Sequence, residues 1–191
     1  MTKKKGLLAA AHSVLYGSEH TTPSISEYHQ QMPEQVIDAK PGATFNIKNL
    51  HVSVTQAKHT DPDAVGFRIK TPSFGDVAYT SDSEYFEDIS KQYAGVRMLV
   101  LCVLRPSGSP WKGHLTTDDA IRIVREARPE VAVLTHFGIQ MIVRNPSNEA
   151  QLMQQQTGTP VTAATDGMRI QIGEKIQVQT TRKQKGLNEF L

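Results

Sequence analysis

The sequence predicts an α/β (α+β) fold with a mixed sheet. In this fold, helices and a parallel segment join a mainly antiparallel sheet. The first observation is a continuous apolar run at Met98–Leu104, followed by an amphipathic stretch at Thr116–Ala127 and a second apolar run at Val131–Leu134. A buried strand, a helix and another buried strand form a βαβ unit with parallel strands. The second observation is that alternating apolar and polar segments precede this unit, as in a β-meander.

The helix of the βαβ unit has clear start and packing signals. Thr116 is a good N-cap, and Asp118 and Asp119 place negative charge in the first turn, where the helix dipole favours it. The apolar stripe that would face the sheet has helical spacing and consists of Ala120, Ile123, Val124 and Ala127. The helix should therefore pack on the sheet between its two strands.

The other elements follow from periodicity and turn residues. Helices are expected at residues 5–16, Ser24–Gln31, Ser83–Gln92 and Asn148–Thr157, with Gly158 ending the last. Strands are expected at Phe45–Ile47, Val52–Ala57, Val65–Lys70, Val77–Thr80, Val161–Ala164, Met168–Ile172 and Lys175–Gln179. Residues 1–191 should form one domain, with a helical segment at 1–35, a core at about 36–180 and a flexible tail at 181–191.

Composition excludes several classes of protein. The net charge of +2 comes from mixed basic and acidic residues, which does not suggest a nucleic-acid or membrane partner. The single cysteine, Cys102, lies in an apolar strand and excludes a disulfide framework. No apolar run reaches transmembrane length, and a signal peptide is not indicated. A soluble cytoplasmic protein is therefore expected.

Four polar residues stand out because each lies at a strand end or in a loop next to the predicted sheet. His59 ends one strand, Asp82 and His136 follow two others, and His114 lies just before the helix. Loops at one edge of a sheet bring such residues together, and two histidines with a carboxylate are a natural ligand set for zinc or iron. The alternative is that they are ordinary polar loop residues.

Four segments occur in the order of the later motifs of the metallo-β-lactamase superfamily. They are KHTDPDAVGFRI, VAYTSDSEYF, KGHLTTDDAIRIV and VAVLTHFG. The sequence most resembles the RNase Z-like and phosphodiesterase-like branch, over roughly residues 36–172. The resemblance implies a partial αββα sandwich, mainly its second half, with the TDGMRI segment around Asp166 as a closing strand.

The resemblance also implies roles for the four polar residues. His59 would bind a first metal ion, Asp82 would bridge two ions, and His136 would bind the second. His114 would assist the leaving group or stabilise the transition state. In that family two divalent ions polarise the substrate and activate a water molecule. The implied cofactor is zinc or another divalent transition metal, and the implied catalytic residues are His114 and Asp82.

The sequence departs from the family pattern at one point. The superfamily's principal motif, H-x-H-x-D-H, is absent from these 191 residues, which contain no H-x-H at all. The early strands before that motif are also expected to be missing. Each ion would then keep two ligands, whereas catalytic zinc normally has three from the protein. Weak or partial metal occupancy is therefore expected.

Three functions remain open. The first is a metal-dependent hydrolase of phosphodiester or other ester bonds, active when another chain supplies the missing ligands. The second is a non-catalytic half-fold interaction protein. The third is a single-metal module in which His59, Asp82 and His136 share one ion. The expected partner is an N-terminal-half chain or a second copy. The loop Arg105–Lys112, with the only tryptophan, either lines a substrate cleft or packs as an ordinary surface loop.

Overall fold

The first strands form two small pairings. The computed structural model describes residues 7–10, 12–14, 21–23, 28, 31–32 and 35–179. The early strands are β1 (Leu7–Ala10), β2 (His12–Val14), β3 (Thr21–Pro23) and β4 (Gln35–Asp38). Strand β1 pairs with β4 in parallel, and β2 pairs with β3 in antiparallel fashion.

A mixed sheet forms the centre of the molecule. Its strands are β5 (Thr44–Ile47), β6 (Leu50–Gln56), β7 (Val65–Thr71), β8 (Gly75–Tyr79), β9 (Met98–Arg105), β10 (Leu115–Thr116), β11 (Val131–Thr135) and β12 (Val161–Ala163). Their order is β12-β11-β9-β8-β7-β6-β5, with β10 beside β9. Strands β5 to β8 form an antiparallel meander, whereas β8, β9, β11 and β12 are parallel. Because two antiparallel pairings separate β6 from β8, both strands point the same way, so β6, β8, β9 and β11 all end at one edge.

The helices follow the strands that they cover. They are α1 (Thr117–Ala127), α2 (Ile139–Arg144) and α3 (Pro146–Thr157), and a 3-10 turn spans Ile89–Tyr93. A separate antiparallel pair, β13 (Arg169–Ile172) and β14 (Ile176–Gln179), follows β12. None of the helices in the described part of the chain is long and apolar enough to cross a membrane.

Helix α1 begins as the sequence predicts. Thr116 caps it, with its hydroxyl accepting a hydrogen bond from the Asp119 N–H, while the Asp119 carboxylate accepts from the Thr116 N–H. This reciprocal capping box satisfies two amide groups that a helix start would otherwise leave free. The stripe then lies fully against the sheet, with Ala120, Ile123 and Val124 in the main core.

The main core lies between the sheet and the helices. Leu99, Leu101 and Leu134 from the parallel strands are fully buried there. The opposite face of the central strands is also covered, since Met98 and Cys102 are buried. These strands are therefore apolar on both faces because both faces are shielded from water, as predicted.

The βαβ unit and the meander are confirmed, with several strand bounds shifted by one or two residues. Strand β9 pairs in parallel with β11 from Met98↔Val131 to Cys102↔Thr135. The residues 139–143, which the pattern left unassigned, form helix α2. Helix α3 ends at Gly158, which adopts the left-handed conformation that glycine favours.

The helix predicted at residues 5–16 is wrong where the structure describes the chain, and so is the expectation that early strands are missing. Leu7–Ala10 and His12–Val14 are strands instead. A short apolar run fits a helix and a buried strand equally well, and here pairing with β4 decides the outcome. The helical segment assigned to 1–35 is corrected accordingly.

The helix predicted at Ser83–Gln92 is reduced to the 3-10 turn Ile89–Tyr93. Asp88 adopts a left-handed backbone conformation, with φ at 71°, which interrupts any helix before Ile89. Most of the helix predicted at Ser24–Gln31 lies outside the described residues, where only Tyr28 is helical and Gln31 lies in a turn. The predicted tail at 181–191 also lies outside them.

Candidate metal centre

The four polar residues selected from the sequence meet at one edge of the sheet. They lie on the segments that follow β6, β8 and β11 and on the loop between β9 and β10. Because these strands end at the same edge, residues 77 positions apart in the chain become neighbours. The predicted convergence is therefore confirmed, and the detailed arrangement shows which side chains can act together.

His59 follows β6 and presents one ring nitrogen to the centre of the cluster. Its Nδ1 lies 3.2 Å from the Asp61 N–H and 3.4 Å from the Thr60 hydroxyl. Its Nε2 is buried and has no hydrogen-bond partner among the described residues. A buried ring nitrogen without a partner is costly unless a ligand satisfies it.

Asp82 reaches the cluster through a bend after β8. The buried Thr80 hydroxyl accepts a hydrogen bond from the Cys102 N–H at 3.1 Å and ties the strand end to β9. Ser81 then adopts φ 58°, the left-handed region, which turns the chain away from the sheet. Asp82 Oδ2 lies 3.0 Å from His136 Nε2, whereas Asp82 Oδ1 is buried without a partner in the described part of the chain.

His114 lies between β9 and α1, and its tautomer is fixed by a backbone contact. Its Nδ1 is 3.1 Å from the Lys112 carbonyl oxygen. A carbonyl oxygen only accepts, so Nδ1 carries the proton in the neutral ring and Nε2 keeps its lone pair. Metal-binding histidines are usually oriented in this way, with the second ring nitrogen donating to a carbonyl or carboxylate.

His136 follows β11 and occupies a strained backbone position, with φ 62°. Its ring stacks on the His114 ring, with centroids 6.2 Å apart and planes 4° from parallel. Its Nε2 donates to Asp82, and its side chain is 42% exposed. A non-glycine residue held in the left-handed region costs about 1–2 kcal/mol, so the surrounding contacts must hold it there.

The structure groups the cluster differently from the sequence prediction. His59, Asp82 and His114 each offer a ligand atom, and these atoms lie within 4.8 Å of one another. The rings of His59 and His114 are 5.0 Å apart. The resemblance gave His114 a role in assisting the leaving group or stabilising the transition state, and it grouped His136 with His59 and Asp82 as metal ligands. Instead His114 joins those two residues, and His136 contacts the group by its hydrogen bond to Asp82 and by stacking on the His114 ring. Whether His136 binds a second ion stays a prediction.

The donor set fits a divalent metal ion. Two imidazoles and a carboxylate are ligands that zinc and related transition metals accept. The unpaired buried atoms His59 Nε2 and Asp82 Oδ1 belong to two of the three grouped residues. An ion would satisfy Asp82 Oδ1. His59 Nε2 carries the ring proton in the tautomer whose Nδ1 accepts from the Asp61 N–H, so it would bind an ion only in the other tautomer.

Glu84 ties three of the site loops together, and the sequence analysis did not select it. Its backbone N–H donates to the Lys58 carbonyl at 2.7 Å, and its carboxylate pairs with the Lys58 ammonium at 3.0 Å. The same carboxylate accepts from the Gly113 N–H at 3.1 Å. The Lys58 contact and the Gly113 amide lower the pKa of Glu84. Its partners lie 26 and 29 positions away, so no local pattern could have found it.

Gly113 allows the His114 loop to approach His59. It adopts φ +82°, and a Cβ atom at this position would lie 3.3 Å from His59 Cδ2. A side chain would therefore strain the backbone and press on the ring of His59. Glycine at this position lets the two histidines come within ligand distance.

A tryptophan stands beside the cluster on the predicted cleft loop. The Trp111 ring centroid lies 5.9 Å from that of His114, and the Arg105 guanidinium lies 5.1 Å from the Trp111 ring. Trp111 is 58% exposed, so it is not packed on the sheet. Of the two interpretations of this loop, its position favours the one that lines a cleft.

The mixed sheet, with histidines and an aspartate gathered at its carboxyl edge, has the metallo-β-lactamase fold. Residues 3–137 match the family described as the beta-lactamase superfamily domain, and the chain belongs to that family. The match begins well before residue 36, where the sequence resemblance was expected to start.

Three similar proteins were found, and the two of known structure share the fold. A protein of Methanocaldococcus jannaschii is 34% identical over 174 residues, which cover 90% of this chain and 64% of that protein. The metallo-beta-lactamase fold protein YhfI from Bacillus subtilis has a TM-score of 0.65 at 18% identity, covering 78% of this chain and 58% of that one. Igni18, a metallo hydrolase from Ignicoccus hospitalis, has a TM-score of 0.57 at 18% identity, covering 78% and 62%. The chain thus spans less than two thirds of the length of each.

Proposed function

We propose that the chain is part of a metal-dependent hydrolase that cleaves phosphodiester or other ester bonds. The observation that carries this proposal is the ligand group His59, Asp82 and His114, with ligand atoms within 4.8 Å. Membership of the beta-lactamase superfamily domain family and the likeness in fold to a metallo hydrolase support the same chemistry.

The proposed metal is zinc or another divalent transition metal, held by His59, Asp82 and His114. When bound, such an ion polarises the ester oxygen and lowers the pKa of a bound water molecule. The Lys112 carbonyl oxygen holds the proton of the His114 ring on Nδ1, which would leave Nε2 free to bind the ion, and His136 orients Asp82 through its hydrogen bond to Oδ2. Hydrolysis would join a water oxygen to the phosphorus or carbonyl carbon and break the bond from that atom to the ester oxygen, which would leave with a proton of the same water.

The grouping of three ligands also favours a second candidate function, a single-metal binding module. Three protein ligands plus one water complete a tetrahedral zinc site. In this alternative the ion is held without turnover, and His136 serves only to position Asp82. The three-ligand group differs from the set expected from the sequence by having His114 in place of His136.

We also propose that catalysis requires ligands from another chain. The 191 residues contain no H-x-H-x-D-H, and a second metal position would have only Asp82 and His136 from this chain. A partner carrying that motif, or a second copy presenting its own histidines, would complete such a position. The expected oligomer is therefore a complex with an N-terminal-half partner or a homo-oligomer.

The test is hydrolysis of bis(p-nitrophenyl) phosphate by zinc-loaded protein. The chain alone should release negligible nitrophenol, and co-expression with a chain from a directly adjacent reading frame that carries H-x-H-x-D-H should raise the rate by at least a hundredfold. Asp82→Asn should remove this gain. Robust turnover by the chain alone, lost in His136→Ala, would contradict the partner requirement. A complete complex that binds zinc without turnover would favour the single-metal module.

A further inference from the structure

One short segment of the chain contacts the loops of all three grouped ligands. Asp82 is followed by Ser83, which is fully buried, and by Glu84, whose side chain is 27% exposed. The contacts of these two residues reach the residue before His59 and the residue before His114. The segment is therefore placed where it can hold the three ligands relative to one another.

A backbone hydrogen bond and a buried hydroxyl join this segment to the chain before His59. The Glu84 N–H donates to the Lys58 carbonyl oxygen at 2.7 Å. The Lys58 N–H donates to Ser83 Oγ at 2.9 Å, and that hydroxyl donates to the Glu84 carbonyl oxygen at 2.8 Å. Because these bonds lie one residue from His59 and one residue from Asp82, they fix the distance between the two backbones.

The carboxylate of Glu84 holds the loop of the third ligand. Its Oε2 accepts from the Gly113 N–H at 3.1 Å, one residue before His114. A Cβ atom at Gly113 would lie 3.3 Å from His59 Cδ2, so this loop already lies close against the His59 ring. The carboxylate therefore connects the His114 loop to the segment that carries Asp82.

The negative charge of Glu84 is largely offset by its other partner. Glu84 Oε1 lies 3.0 Å from Lys58 Nζ, and the Lys58 side chain is 61% exposed. An ion pair this exposed contributes little to stability. A carboxylate that is already paired also adds little net charge to a nearby cation site. The hydrogen bond to Gly113, rather than the charge, is then the property of Glu84 that bears on metal binding.

The position of the ligands before an ion arrives affects how tightly the ion binds. Ligands that are already in place reduce the ordering cost of binding. The ligand atoms of His59, Asp82 and His114 lie within 4.8 Å of one another. Residues that orient metal ligands commonly change metal affinity by about 10–100-fold when they are replaced.

We propose that Glu84 is a positioning residue of the metal centre, whose carboxylate holds the His114 loop against the His59 and Asp82 segments through the Gly113 N–H. This inference rests on the proposed metal site, because the side chains that Glu84 positions are the ligands of that site. Glu84 acts through His114 and does not bind the ion itself. The hydrogen bond to Gly113 needs no metal ion, so it can be measured separately.

Two variants separate the reach of this side chain from its charge. Glu84→Gln loses the charge but keeps the length and an oxygen that accepts from the Gly113 N–H. Glu84→Asp keeps the charge but is one methylene shorter. By competition with a chromogenic chelator, the zinc affinity of Glu84→Gln should stay within threefold of wild type, whereas Glu84→Asp should bind about 10–100-fold more weakly. The opposite order would assign an electrostatic role to Glu84 and overturn the proposal.

The coordination geometry provides a readout that a loss of stability alone does not change. The visible absorption bands of bound Co²⁺ depend on the geometry of its ligands. With saturating Co²⁺, Glu84→Gln should show the wild-type bands, and Glu84→Asp should show shifted bands. Glu84→Met keeps the length, loses both oxygens and should behave as Glu84→Asp does. If Glu84→Met does not fold, the comparison of the glutamine and aspartate variants decides alone. Identical spectra and affinities in the folded proteins would overturn the proposal.

Hydrogen exchange measures the contact to Gly113 without metal. In a buffer with a chelator, the Gly113 amide should exchange at least tenfold faster in Glu84→Asp and Glu84→Met than in wild type or Glu84→Gln. Glu87→Asp is the matched control, because Glu87 is an exposed glutamate three residues further along the chain. It should leave zinc affinity, the Co²⁺ bands and Gly113 exchange unchanged. Equal Gly113 exchange in wild type and the Glu84 variants would contradict the proposed contact.

The outcomes distinguish this inference from the hydrolase proposal. A wild-type chain that binds zinc, with the same affinity in Glu84→Asp and Glu84→Met, would contradict the positioning role alone. A wild-type chain that binds no zinc, although Gly113 exchange responds to the Glu84 variants, would contradict the metal site and the role of Glu84 in it. The affinity order predicted above, together with faster Gly113 exchange, supports both.

Discussion

The two carboxylate oxygens of Asp82 have different surroundings, and this difference sets the expected roles of His114 and His136. Oδ2 accepts from His136, whereas Oδ1 is buried without a partner among the described residues. His114 belongs to the three-ligand group, and His136 contacts it through Asp82. The structure thus assigns different consequences to the loss of each histidine.

His114→Ala should weaken zinc binding by more than a hundredfold, because it removes one of three ligands. His136→Ala should weaken it by about 10–100-fold, the usual effect of losing a residue that orients a ligand. Competition with a chromogenic chelator measures both. The control is His51→Ala, because His51 is exposed and its ring bonds to Asn46, away from the cluster. Equal losses for His114→Ala and His136→Ala would mean that both bind metal directly.

Cys102 should be inert towards thiol reagents in the folded chain. Burial raises the pKa of its thiol to about 11, and only 2% of the residue is exposed. The reactive thiolate is therefore scarce at pH 8 and shielded from reagents. Iodoacetamide at pH 8 should modify it at least a hundredfold more slowly in native protein than in 6 M guanidinium. Comparable rates in the two conditions would contradict the burial.

At the scale of single elements, the capping box of α1 connects the helix to the His114 loop. Thr116→Ala removes the hydroxyl that accepts from the Asp119 N–H and should lower the free energy of unfolding by about 1 kcal/mol. Thr116→Ser keeps the hydroxyl and should recover most of the loss. Urea unfolding followed by circular dichroism measures both. An equal loss in the serine variant would assign the effect to packing of the methyl group.

The 3-10 turn contributes a pH-sensitive contact to the meander. Tyr93 is fully buried, its hydroxyl is 3.0 Å from the Thr55 hydroxyl, and burial raises the pKa of Tyr93 to about 12. The folded state therefore holds this proton more tightly than the unfolded state. The resulting contribution to the free energy of unfolding is fully present below pH 10 and is lost as the pH rises from 10 to about 12.

Tyr93→Phe should make the unfolding free energy less dependent on pH, by about 1.4 kcal/mol between pH 8 and pH 11. Below pH 9 it should lower stability by about 1–2 kcal/mol, because the Thr55 hydroxyl loses its partner. Denaturant titrations at pH 8 and pH 11 compare the two proteins. A parallel loss of stability in both proteins between these values would contradict the assignment to Tyr93.

Elements with strong local signals were predictable, and those fixed by distant partners were not. The stripe and cap of α1 and the apolar runs of β9 and β11 are local properties of the sequence. The N-terminal run at Leu7–Ala10 becomes a strand because it pairs with β4, which lies 28 residues away in the chain. Local periodicity does not contain that information.

The same distinction applies to the candidate site. Its four polar residues could be selected because each lies at or near a strand end. Their grouping depends on Ser81 and His136 in left-handed conformations and on Glu84 bridging two loops. These features place His114 rather than His136 in the three-ligand group, and no sequence spacing encodes them.

At the scale of the whole molecule, the direction of the strands explains the site. Strands β6, β8, β9 and β11 end at one edge, so residues from four separate segments meet there. The sheet supplies a rigid base buried on both faces at its centre, and the loops above it supply the polar groups. A divalent metal ion bound at this edge would satisfy the buried Oδ1 atom of Asp82.

The most direct test of this account is the zinc content of the purified chain after equilibrium dialysis in micromolar zinc. We expect about one equivalent per chain, lost on dialysis against a chelator and absent in Asp82→Asn, whose circular dichroism should remain that of the native protein. Asp88→Asn, at an exposed aspartate outside the cluster, should bind zinc normally. A wild-type chain that binds no zinc, or an Asp82→Asn chain that binds as much as wild type, would contradict the account.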